Sequence, residues 1–451
     1  MGQTSAGMRP RSSGDARRVR QLVVVFAPDR QLPPAVTLGG GPLRIGRDRD
    51  SGLVLEDDEV SRRHAEVQYD DGADLWVACD CRSRNGLWVD GVRVEHAALV
   101  HGSVVRIGRT LLVAVDVMVA AGRQLRDETP ALRGHSLAMQ QVRGEIATLA
   151  GQRIPLLVVG ETGVGKELVA RDLHERSGRP GPFVPVSCAT LPGGLADSEL
   201  FGQLSAALAG GFELRDGLFG QARGGTLFLD EIGALPAAVQ PKLLRALAAG
   251  EGCPVGGAQA APGNVQVIAA THRELADDVA SGGFRADLYS RLAGWVLRVP
   301  PLRARRDDVL GLADAVLDRW RGGNLALSSR AAEALLLHDW PFNVRELEHA
   351  IETAAVRAGG DAVIRCRYLP PAIGERVQAH QGDQVRNLYP VDLAQGTTPS
   401  ESELRQLLAE HGGNVVHVAR ALRKDRQQLY RWLKRYAIDV AAIRSEQRTD
   451  D

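Results

Sequence analysis

An apolar run that leads straight into a glycine loop is the feature that most constrains how this chain can fold. Segment 153–167 reads RIPLLVVGETGVGKE. Its apolar part predicts a buried strand, and the following G-x-x-x-x-G-K sequence predicts a loop whose backbone N–H groups surround phosphate oxygens. The helix expected next adds its dipole to that attraction. Strand, loop and helix in this order predict an α/β domain that binds a nucleoside triphosphate.

The loop also supplies the candidate ligands of ATP. Lys166 is expected to reach the β and γ phosphates. The residue after this lysine is usually serine or threonine, but here it is Glu167, so the main ligand of Mg²⁺ must come from elsewhere. The predicted nucleotide-binding residues are Gly160, Glu161, Thr162, Gly163, Val164, Gly165, Lys166 and Glu167.

A second apolar run ends in two carboxylates, in the sequence GGTLFLDE at 224–231. Asp230 at the end of this predicted strand is the candidate ligand of Mg²⁺. Glu231 is placed to polarise the attacking water. A phosphate-binding loop followed by acids at the end of a strand predicts an ATPase, with ATP and Mg²⁺ as its cofactors.

Length and local composition predict several domains. With 451 residues, the chain is expected to hold roughly three. Short apolar runs broken by Gly and Asp predict a β-sandwich near the N-terminus, and strand-like runs that alternate with helical patterns predict the α/β domain. The predicted boundaries are a disordered tail over 1–20, the sandwich over 21–118, a linker over 119–132, an α/β subdomain over 133–300, a helical lid over 301–372, a linker over 373–400, a helical DNA-binding unit over 401–440 and a tail over 441–451.

Charge and cysteine content exclude some classes of function. Lysine plus arginine balance aspartate plus glutamate at 55 each, so net charge indicates no partner. The five cysteines form no C-x-x-C pair, which argues against a zinc site or a disulfide framework. The sequence contains neither a secretion signal nor a run of about 18 apolar residues. These features predict a soluble protein of the cytoplasm.

Four motifs together resemble one family over about 133–372: GETGVGKELVA, SELFG, GGTLFLDEIG and WPFNVRELEH. They resemble the AAA+ ATPase of bacterial enhancer-binding proteins, which activate sigma-54 RNA polymerase. The family also carries glutamate at the position of Glu167. The resemblance implies a homo-oligomer, from dimer to hexameric ring, with nucleotide between subunits. It further implies that Arg285 and Arg291 are arginine fingers for a neighbouring site and that Arg345 is the sensor arginine of the lid.

Two positions depart from the pattern of this family. Ser187 stands where the family has an asparagine that restrains the catalytic glutamate, and serine keeps only part of that hydrogen bonding. The family loop Gly-Ala-Phe-Thr-Gly-Ala, which touches the sigma factor, corresponds here to AALAGG at 206–211. Leu208 replaces the aromatic ring, and Ala209 lacks the hydroxyl. The departures predict an intact ATPase with an altered contact to the polymerase.

Three motifs in the β-rich region resemble the forkhead-associated (FHA) domain, a reader of phosphothreonine. They are Gly-Arg at 46–47, Ser-Arg-Arg-His at 61–64 and Ser-Arg-Asn-Gly at 83–86. Arg47 and Ser61 would supply the guanidinium and the hydroxyl that a phosphate dianion needs. Arg62 is a further candidate phosphate contact, Asn85 would hold the peptide backbone, and His64 is expected to support the loop from inside. A sandwich that only serves as a scaffold is the alternative.

The C-terminal segment has the pattern of a DNA-binding unit. Apolar residues recur at helical spacing over 404–408, 415–422 and 429–436, and residues 411–436 hold seven Lys or Arg against one acid. GGNVVHVARALRKDRQQLYRWLKRY resembles the Fis-type helix-turn-helix that ends this activator family. In such a unit the last helix enters the major groove. The candidate DNA contacts are Arg426, Gln427, Gln428, Arg431, Lys434 and Arg435.

Two functions follow from these modules. In the first, a phosphothreonine written by a Ser/Thr kinase docks on the N-terminal domain, and ATP hydrolysis remodels sigma-54 polymerase at a promoter with upstream sites for the C-terminal domain. In the second, the protein is a phosphopeptide-responsive DNA-binding regulator whose ring assembles and switches without activating sigma-54. The altered loop at 206–211 favours the second, and the family resemblance favours the first.

Overall fold

The structure is a computed structural model, and the chain divides into two compact units: Met1–Thr37 with His101–Gly382, and Leu38–Val100 with Asp383–Asp451. The structure describes residues 17–28, 35–39, 41–119, 132–152, 154–191, 193–206, 212–249, 251–252, 261–262, 264–320, 325–378, 401–410, 418, 432–433, 436 and 438.

The strands, in chain order, are β1 (Arg17–Phe26), β2 (Ala35–Thr37), β3 (Leu43–Gly46), β4 (Leu53–Val54), β5 (Ala65–Asp70), β6 (Leu75–Asp80), β7 (Leu87–Val89), β8 (Val92–Val94), β9 (His96–Leu99), β10 (Val104–Ile107), β11 (Thr110–Val119), β12 (Leu156–Val159), β13 (Phe183–Ser187), β14 (Gly202–Ala206), β15 (Phe212–Asp216), β16 (Thr226–Asp230), β17 (Glu251–Gly252), β18 (Ala261–Pro262), β19 (Gln266–Thr271), β20 (Trp295–Arg298), β21 (Ala326–Leu327) and β22 (Val363–Ile364). The helices are α1 (Leu137–Leu149), α2 (Lys166–Ser177), α3 (Ala196–Phe201), α4 (Leu218–Gln221), α5 (Gln240–Ala249), α6 (Leu275–Ala280), α7 (Ala286–Leu292), α8 (Val309–Leu317), α9 (Ser329–Leu337), α10 (Asn343–Ala358), α11 (Pro371–Gln378) and α12 (Glu401–Glu410).

The centre of the first unit is a parallel sheet in the order β13-β16-β19-β12-β20. All six residues of β19 are buried, as are the first four of β16. Such continuous burial is typical of a parallel sheet covered on both faces. Parallel strands end at one edge of the sheet, so the residues that follow β12, β13, β16 and β19 meet there.

The lid follows the sheet and is mainly helical. It comprises α8, α9, α10 and α11, with short 3₁₀ turns at Leu302–Ala304 and Arg306–Asp308. Ser328 caps α9 by accepting a hydrogen bond from the Ala331 N–H. The fully buried Trp340 lies in the lid core with the leucines of α9. Two-residue strands β21 and β22 pair in parallel here, although the sequence predicts no strand after Pro301.

The first unit also contains β1, β2, β10 and β11. They form antiparallel pairs in the order β2-β1-β11-β10, and Arg17 pairs with Val119 at one end of the long β1–β11 ladder. The buried side chains of Val104, Leu111 and Val113 from these strands belong to the same apolar core as the lid helices α8 and α9.

In the second unit, five strands form the sheet β4-β3-β5-β6-β9, and β7 and β8 form a hairpin. Buried residues alternate with partly exposed ones along β5 and β7, which fits a sheet with one face in the core. Near the C-terminus, α12 contributes buried Leu404 and Leu408 to a small cluster that includes Val418, Trp432, Leu433 and Ile438.

The predicted fold class is confirmed for the N-terminal β-sandwich and for the central α/β domain with its lid. Two predicted boundaries are wrong. The disordered tail over 1–20 overlaps β1, because Arg17 to Arg20 extend the ladder with β11. The linker over 373–400 overlaps α11, which continues to Gln378 and buries Ile373 in the lid core. Among the described residues, no helix is long and apolar enough to cross a membrane.

Candidate functional site

The phosphate-binding loop connects β12 to α2, as the sequence predicts. Gly163 and Gly165 have φ of 81° and 101°, a left-handed conformation that glycine adopts without strain. A side chain at position 163 is also excluded by space, since its Cβ would lie 2.1 Å from the carbonyl oxygen of Phe342 in the lid. The loop therefore lies directly against the lid backbone, with α2 beginning at Lys166.

Lys166 and the two acids come together at the carboxyl edge of the sheet. The Lys166 ammonium donates to the carbonyl oxygens of Gly160 at 2.9 Å and Glu161 at 3.2 Å. Burial lowers the pKa of Lys166, against the opposing charges of Asp230 and Glu231. Burial raises the pKa of Asp230, and the nearby Lys166 opposes that rise. One cation and two carboxylates thus share a partly desolvated site.

Glu231 is held by a histidine at the end of the neighbouring strand. Its backbone is left-handed, with φ of 54°, and its N–H donates to Asp230 Oδ1 at 3.0 Å. His272, the first residue after β19, places Nδ1 2.5 Å from Glu231 Oε2. The sequence reasoning did not single out His272, although its position after the buried run VIAAT at the same sheet edge is a usable signal.

The Ser187 side chain does not hold Glu231 in this structure. Ser187 ends β13 and pairs in register with Asp230 of β16. Its carbonyl oxygen accepts a hydrogen bond from the Thr190 hydroxyl at 2.9 Å. Over the part of the chain that is described, no hydrogen bond of the Ser187 hydroxyl is found. The contact to the Glu231 side chain comes from His272 instead.

The lid contacts the phosphate-binding loop through two polar groups. Asn343, fully buried with φ of 54°, donates from Nδ2 to Thr162 O at 3.0 Å and Glu161 Oε2 at 3.1 Å, and its Oδ1 accepts from the Leu302 N–H at 2.8 Å. Arg303 pairs with both carboxylate oxygens of Glu161, at 2.8 and 2.5 Å. The Arg303 hydrogen bonds lower the pKa of Glu161.

A cavity of about 570 Å³ lies between the loop and the lid, which is within the size range of small-molecule sites. Its polar wall includes the loop, Asp230, Glu231 and Arg345, so this predicted sensor arginine lies at the site. Its apolar wall is formed by Leu132, Met139, Leu312, Val316 and Leu347. A cavity with one apolar and one charged wall suits the base and the phosphates of a nucleotide.

The predicted arginine fingers lie at the N-terminus of α7 and in its last turn, away from this cavity. Arg285 precedes the helix and pairs with Asp287 through two hydrogen bonds of 3.0 and 2.7 Å. Arg291 donates to Leu247 O at 3.3 Å. Both side chains are exposed, and among the described residues neither lines the cavity of its own chain. This placement fits a role toward a second subunit.

The segment that corresponds to the sigma-contacting loop lies in the sequence between two paired strands. Strands β14 and β15 pair antiparallel, with Ala206 opposite Phe212. Residues 207–211, which include Leu208 and Ala209, lie outside the described residues.

The candidate phosphopeptide residues converge on loops of the second unit. Arg47 is exposed, and its backbone N–H donates to Ser61 O at 3.0 Å. The Ser61 hydroxyl accepts from the Arg84 N–H at 3.0 Å, and the Asn85 amide donates to Glu59 O at 2.7 Å. Arg62 is exposed beside Ser61. All four predicted residues therefore stand on neighbouring loops that bond to one another.

Two buried features fix these loops. His64 is fully buried; its Nδ1 accepts from the Ser61 N–H at 3.1 Å and its Nε2 lies 3.1 Å from Gly86 O. Because a backbone N–H can only donate, the proton of the imidazole is on Nε2. A Cβ at Gly46 would lie 2.1 Å from Arg62 O, so glycine allows the two loops to approach. The expected internal role of His64 agrees with this geometry.

The candidate DNA contacts cannot be placed. Arg426, Gln427, Gln428, Arg431, Lys434 and Arg435 lie outside the described residues.

Models of three protein families match this chain. The sigma-54 interaction domain matches residues 132–298, the FHA domain matches 43–108, and the AAA+ ATPase lid domain matches 303–385.

Curated relatives and a solved structure match this chain over most of its length. The chain is 42% identical over 318 residues to the anaerobic nitric oxide reductase transcription regulator NorR of Citrobacter koseri, which covers 68% of this chain and 62% of that protein. It is 41% identical over 344 residues to the nitric oxide reductase transcription regulator NorR1 of Cupriavidus necator, covering 71% of this chain and 67% of the relative. NtrX from Brucella abortus in complex with ATP is 30% identical, with a TM-score of 0.50, over 70% of this chain and 71% of that one.

Proposed function

Because this chain belongs to the family of sigma-54-dependent transcriptional regulators, we propose that it binds and hydrolyses ATP to remodel sigma-54 RNA polymerase. The observation that carries the proposal is the meeting of Lys166, Asp230 and Glu231 at one edge of the sheet, beside a cavity that the lid closes. The chain spans 62% of the length of the NorR relative from Citrobacter koseri, so the activity of that whole protein is part of the proposal.

The chemistry assigns one task to each residue. Lys166 binds the β and γ phosphates, and Asp230 offers a hard carboxylate oxygen of the kind that Mg²⁺ prefers. When bound, Mg²⁺ neutralises phosphate charge. Glu231 orients and polarises the attacking water. Arg345 contacts the phosphates from the lid, whereas Arg285 and Arg291 stabilise transition-state charge in a neighbouring subunit of a ring.

The N-terminal domain is proposed to read a phosphothreonine on a partner or on this protein, written by a Ser/Thr kinase. Arg47, Ser61 and Asn85 lie on bonded neighbouring loops, and Arg62 adds a positive charge beside them. The C-terminal segment is proposed to bind upstream DNA through its basic helix. Docking of the phosphothreonine would shift the ring between assembled and unassembled states.

A second function is favoured by one specific observation, the presence of Leu208 and Ala209 where the family's sigma-contacting loop has an aromatic and a hydroxyl residue. In this alternative, the ring assembles and switches on DNA without opening a sigma-54 promoter. An aliphatic segment loses the directional contacts of a ring and a hydrogen bond worth about 1 kcal/mol.

The test is open-complex formation on a sigma-54 promoter with purified sigma-54 polymerase. The activator function requires ATP-dependent opening by the wild-type chain and its loss in Lys166→Ala, while Glu231→Gln still binds ATP but hydrolyses it far more slowly. A wild-type chain that hydrolyses ATP and never opens the promoter rules out activation. If the Leu208→Phe/Ala209→Thr variant gains promoter opening, the wild-type chain has the alternative function because of these two residues. If the variant gains no promoter opening, the loss of activation has its cause elsewhere in the chain.

A further inference from the structure

The catalytic carboxylate has an unassigned partner. Glu231 Oε2 lies 2.5 Å from His272 Nδ1, and the Glu231 side chain is only 26% exposed. A carboxylate only accepts hydrogen bonds, so Nδ1 must carry the proton in this contact. The bond occupies one carboxylate oxygen and leaves Oε1 available to a water molecule. It therefore limits the rotation of the carboxylate.

The position of His272 is itself fixed by the sheet and the loop. Strands β16 and β19 are adjacent, with Leu229 opposite Ala269. Thr271, the last residue of β19, accepts a hydrogen bond from the Gly160 N–H through its carbonyl at 3.2 Å. Its hydroxyl accepts from the Arg273 N–H at 2.9 Å. The backbone on both sides of His272 is thus tied down, so its ring approaches Glu231 from a rigid base.

We propose that His272 is the positioning residue of Glu231, which holds the carboxylate in the orientation that binds the attacking water. The inference rests on the proposed ATP hydrolysis. It predicts a loss in turnover without a loss in nucleotide affinity, because His272 contacts Glu231 and does not line the cavity among the described residues.

The test is steady-state ATP hydrolysis by the full chain, with nucleotide affinity measured separately by a fluorescent ATP analogue. His272→Ala should lower kcat by about tenfold, since small errors in orientation are costly, and leave KM within about twofold. His272→Asn, whose amide N–H can donate to Glu231, should recover part of the loss. Arg273→Ala is the matched control, because its exposed side chain forms a 3.9 Å ion pair with Asp278 and no hydrogen bond among the described residues, and alanine keeps the backbone N–H that bonds to Thr271.

A double variant separates positioning from a general structural effect. If His272 acts through Glu231, adding His272→Ala to Glu231→Gln should lower kcat no further. The proposal is overturned if His272→Ala keeps kcat within twofold of the wild-type value, or if it raises KM by the same factor by which kcat falls. It is also overturned if His272→Ala lowers kcat further in the Glu231→Gln background. A wild-type chain that binds the analogue but hydrolyses no ATP would overturn the proposed function itself.

A different observation concerns the contact between the N-terminal strands and the lid. Arg106 of β10 pairs with Glu333 in the middle of α9, with 2.9 Å between Nε and Oε1, and the two side chains are 7% and 1% exposed. Arg330 binds the other Glu333 oxygen at 3.2 Å. Arg306 of the lid donates to Gly102 O at 3.0 Å. These polar contacts add to the apolar core that β10 and β11 share with α8 and α9.

The same lid segment reaches the nucleotide site. Arg303, three residues before Arg306, pairs with Glu161 of the phosphate-binding loop. Asn343 at the start of α10 bonds to Thr162. A close-packed core shifts as a body and does not deform gradually, and a buried ion pair is costly to break. We infer that β10 and β11 move with the lid, so that nucleotide binding alters the dynamics of these strands.

Hydrogen exchange of the full chain with and without a non-hydrolysable ATP analogue tests this inference. In the wild type, the analogue should change exchange in peptides that cover 104–119 as well as 160–167. Glu333→Gln should abolish the change at 104–119, while Glu352→Gln, at an exposed position of α10 that does not line the cavity, should keep it. Circular dichroism verifies that both variants are folded. The inference is contradicted if the analogue changes hydrogen exchange at 160–167 and in the lid of the wild type but not at 104–119. If exchange at 160–167 does not change either, the result counts against nucleotide binding.

Discussion

The buried amide of Asn343 donates a hydrogen bond to the carbonyl oxygen of Thr162, 3.0 Å away, and so joins the first residue of the main lid helix to the phosphate-binding loop. The same side chain accepts from the Leu302 N–H. One residue thereby connects three segments that surround the cavity.

Replacing Asn343 should weaken both the lid and nucleotide binding. Asn343→Ala leaves the Leu302 N–H without a partner, which costs about 1–3 kcal/mol, and it places alanine in a left-handed conformation. Asn343→Gly removes the same hydrogen bonds but relieves the backbone strain. Thermal unfolding with and without an ATP analogue should show both variants destabilised, glycine less than alanine. Unchanged melting temperature and ATP affinity in Asn343→Ala would contradict this role.

Arg47 should dominate phosphopeptide binding. Its weak contact to the fully exposed Asp58, at 3.7 Å, leaves it free to bind a dianion, since exposed pairs contribute little. Arg47→Ala should reduce retention of a phosphothreonine peptide library at least about tenfold, because charge-assisted hydrogen bonds to phosphate are strong. Arg49→Ala, in the same loop, is the control and should bind normally. Equal losses in the two variants would indicate nonspecific charge attraction.

His64 should be essential for the shape of the same loops. His64→Leu removes the partners of the Ser61 N–H and the Gly86 carbonyl, at a cost of about 2–4 kcal/mol for two buried groups. The control is His96→Leu, because His96 Nε2 has no hydrogen-bond partner among the described residues. Chemical denaturation followed by tryptophan fluorescence should show a lower midpoint for His64→Leu only. If both variants unfold like the wild type, the buried hydrogen bonds contribute no net stability.

Stability should fall as the pH rises toward neutrality because of Asp307. Burial, with the adjacent Asp308 charge, raises the pKa of Asp307 from 3.8 to about 7. Below pH 3.8 both the folded and the unfolded states are protonated. Between that pH and 7 the unfolded state loses the proton and the folded state keeps it, so unfolding becomes easier.

Asp307→Asn removes this pH dependence and should stabilise the protein at pH 8 by about 2–4 kcal/mol relative to wild type. The gain should shrink as the pH is lowered to 5. Urea denaturation at the two pH values measures it, with the exposed Asp318→Asn as control. A gain that is the same at both pH values would show that Asp307 does not titrate with folding.

The residues that sequence predicts best are those fixed by local chain order. Lys166, Asp230 and Glu231 follow buried strands directly, and parallel strands bring such residues to one edge. His272 follows the same rule, but its contact with Glu231 depends on a side-chain orientation that no local pattern specifies. Asn343 adopts a positive φ that only the packed lid imposes.

Long-range packing explains the remaining differences. The Arg106–Glu333 pair joins residues that are 227 positions apart, and neither residue stands in a recognisable motif. Strand β1 begins earlier than predicted because its arginines pair with β11, a partner that local composition does not reveal. The contacts of Arg285 and Arg291 lie within one chain, so their role in the site of a neighbouring subunit stays a prediction.

The pairing of Ala206 with Phe212 has an evolutionary consequence. Because Ala206 and Phe212 are held opposite each other by backbone pairing, the two ends of segment 207–211 stay together whatever its side chains are. Under the proposed function, a lineage can therefore exchange one remodelling target for another, or lose its target, while the residues of the nucleotide site are inherited unchanged.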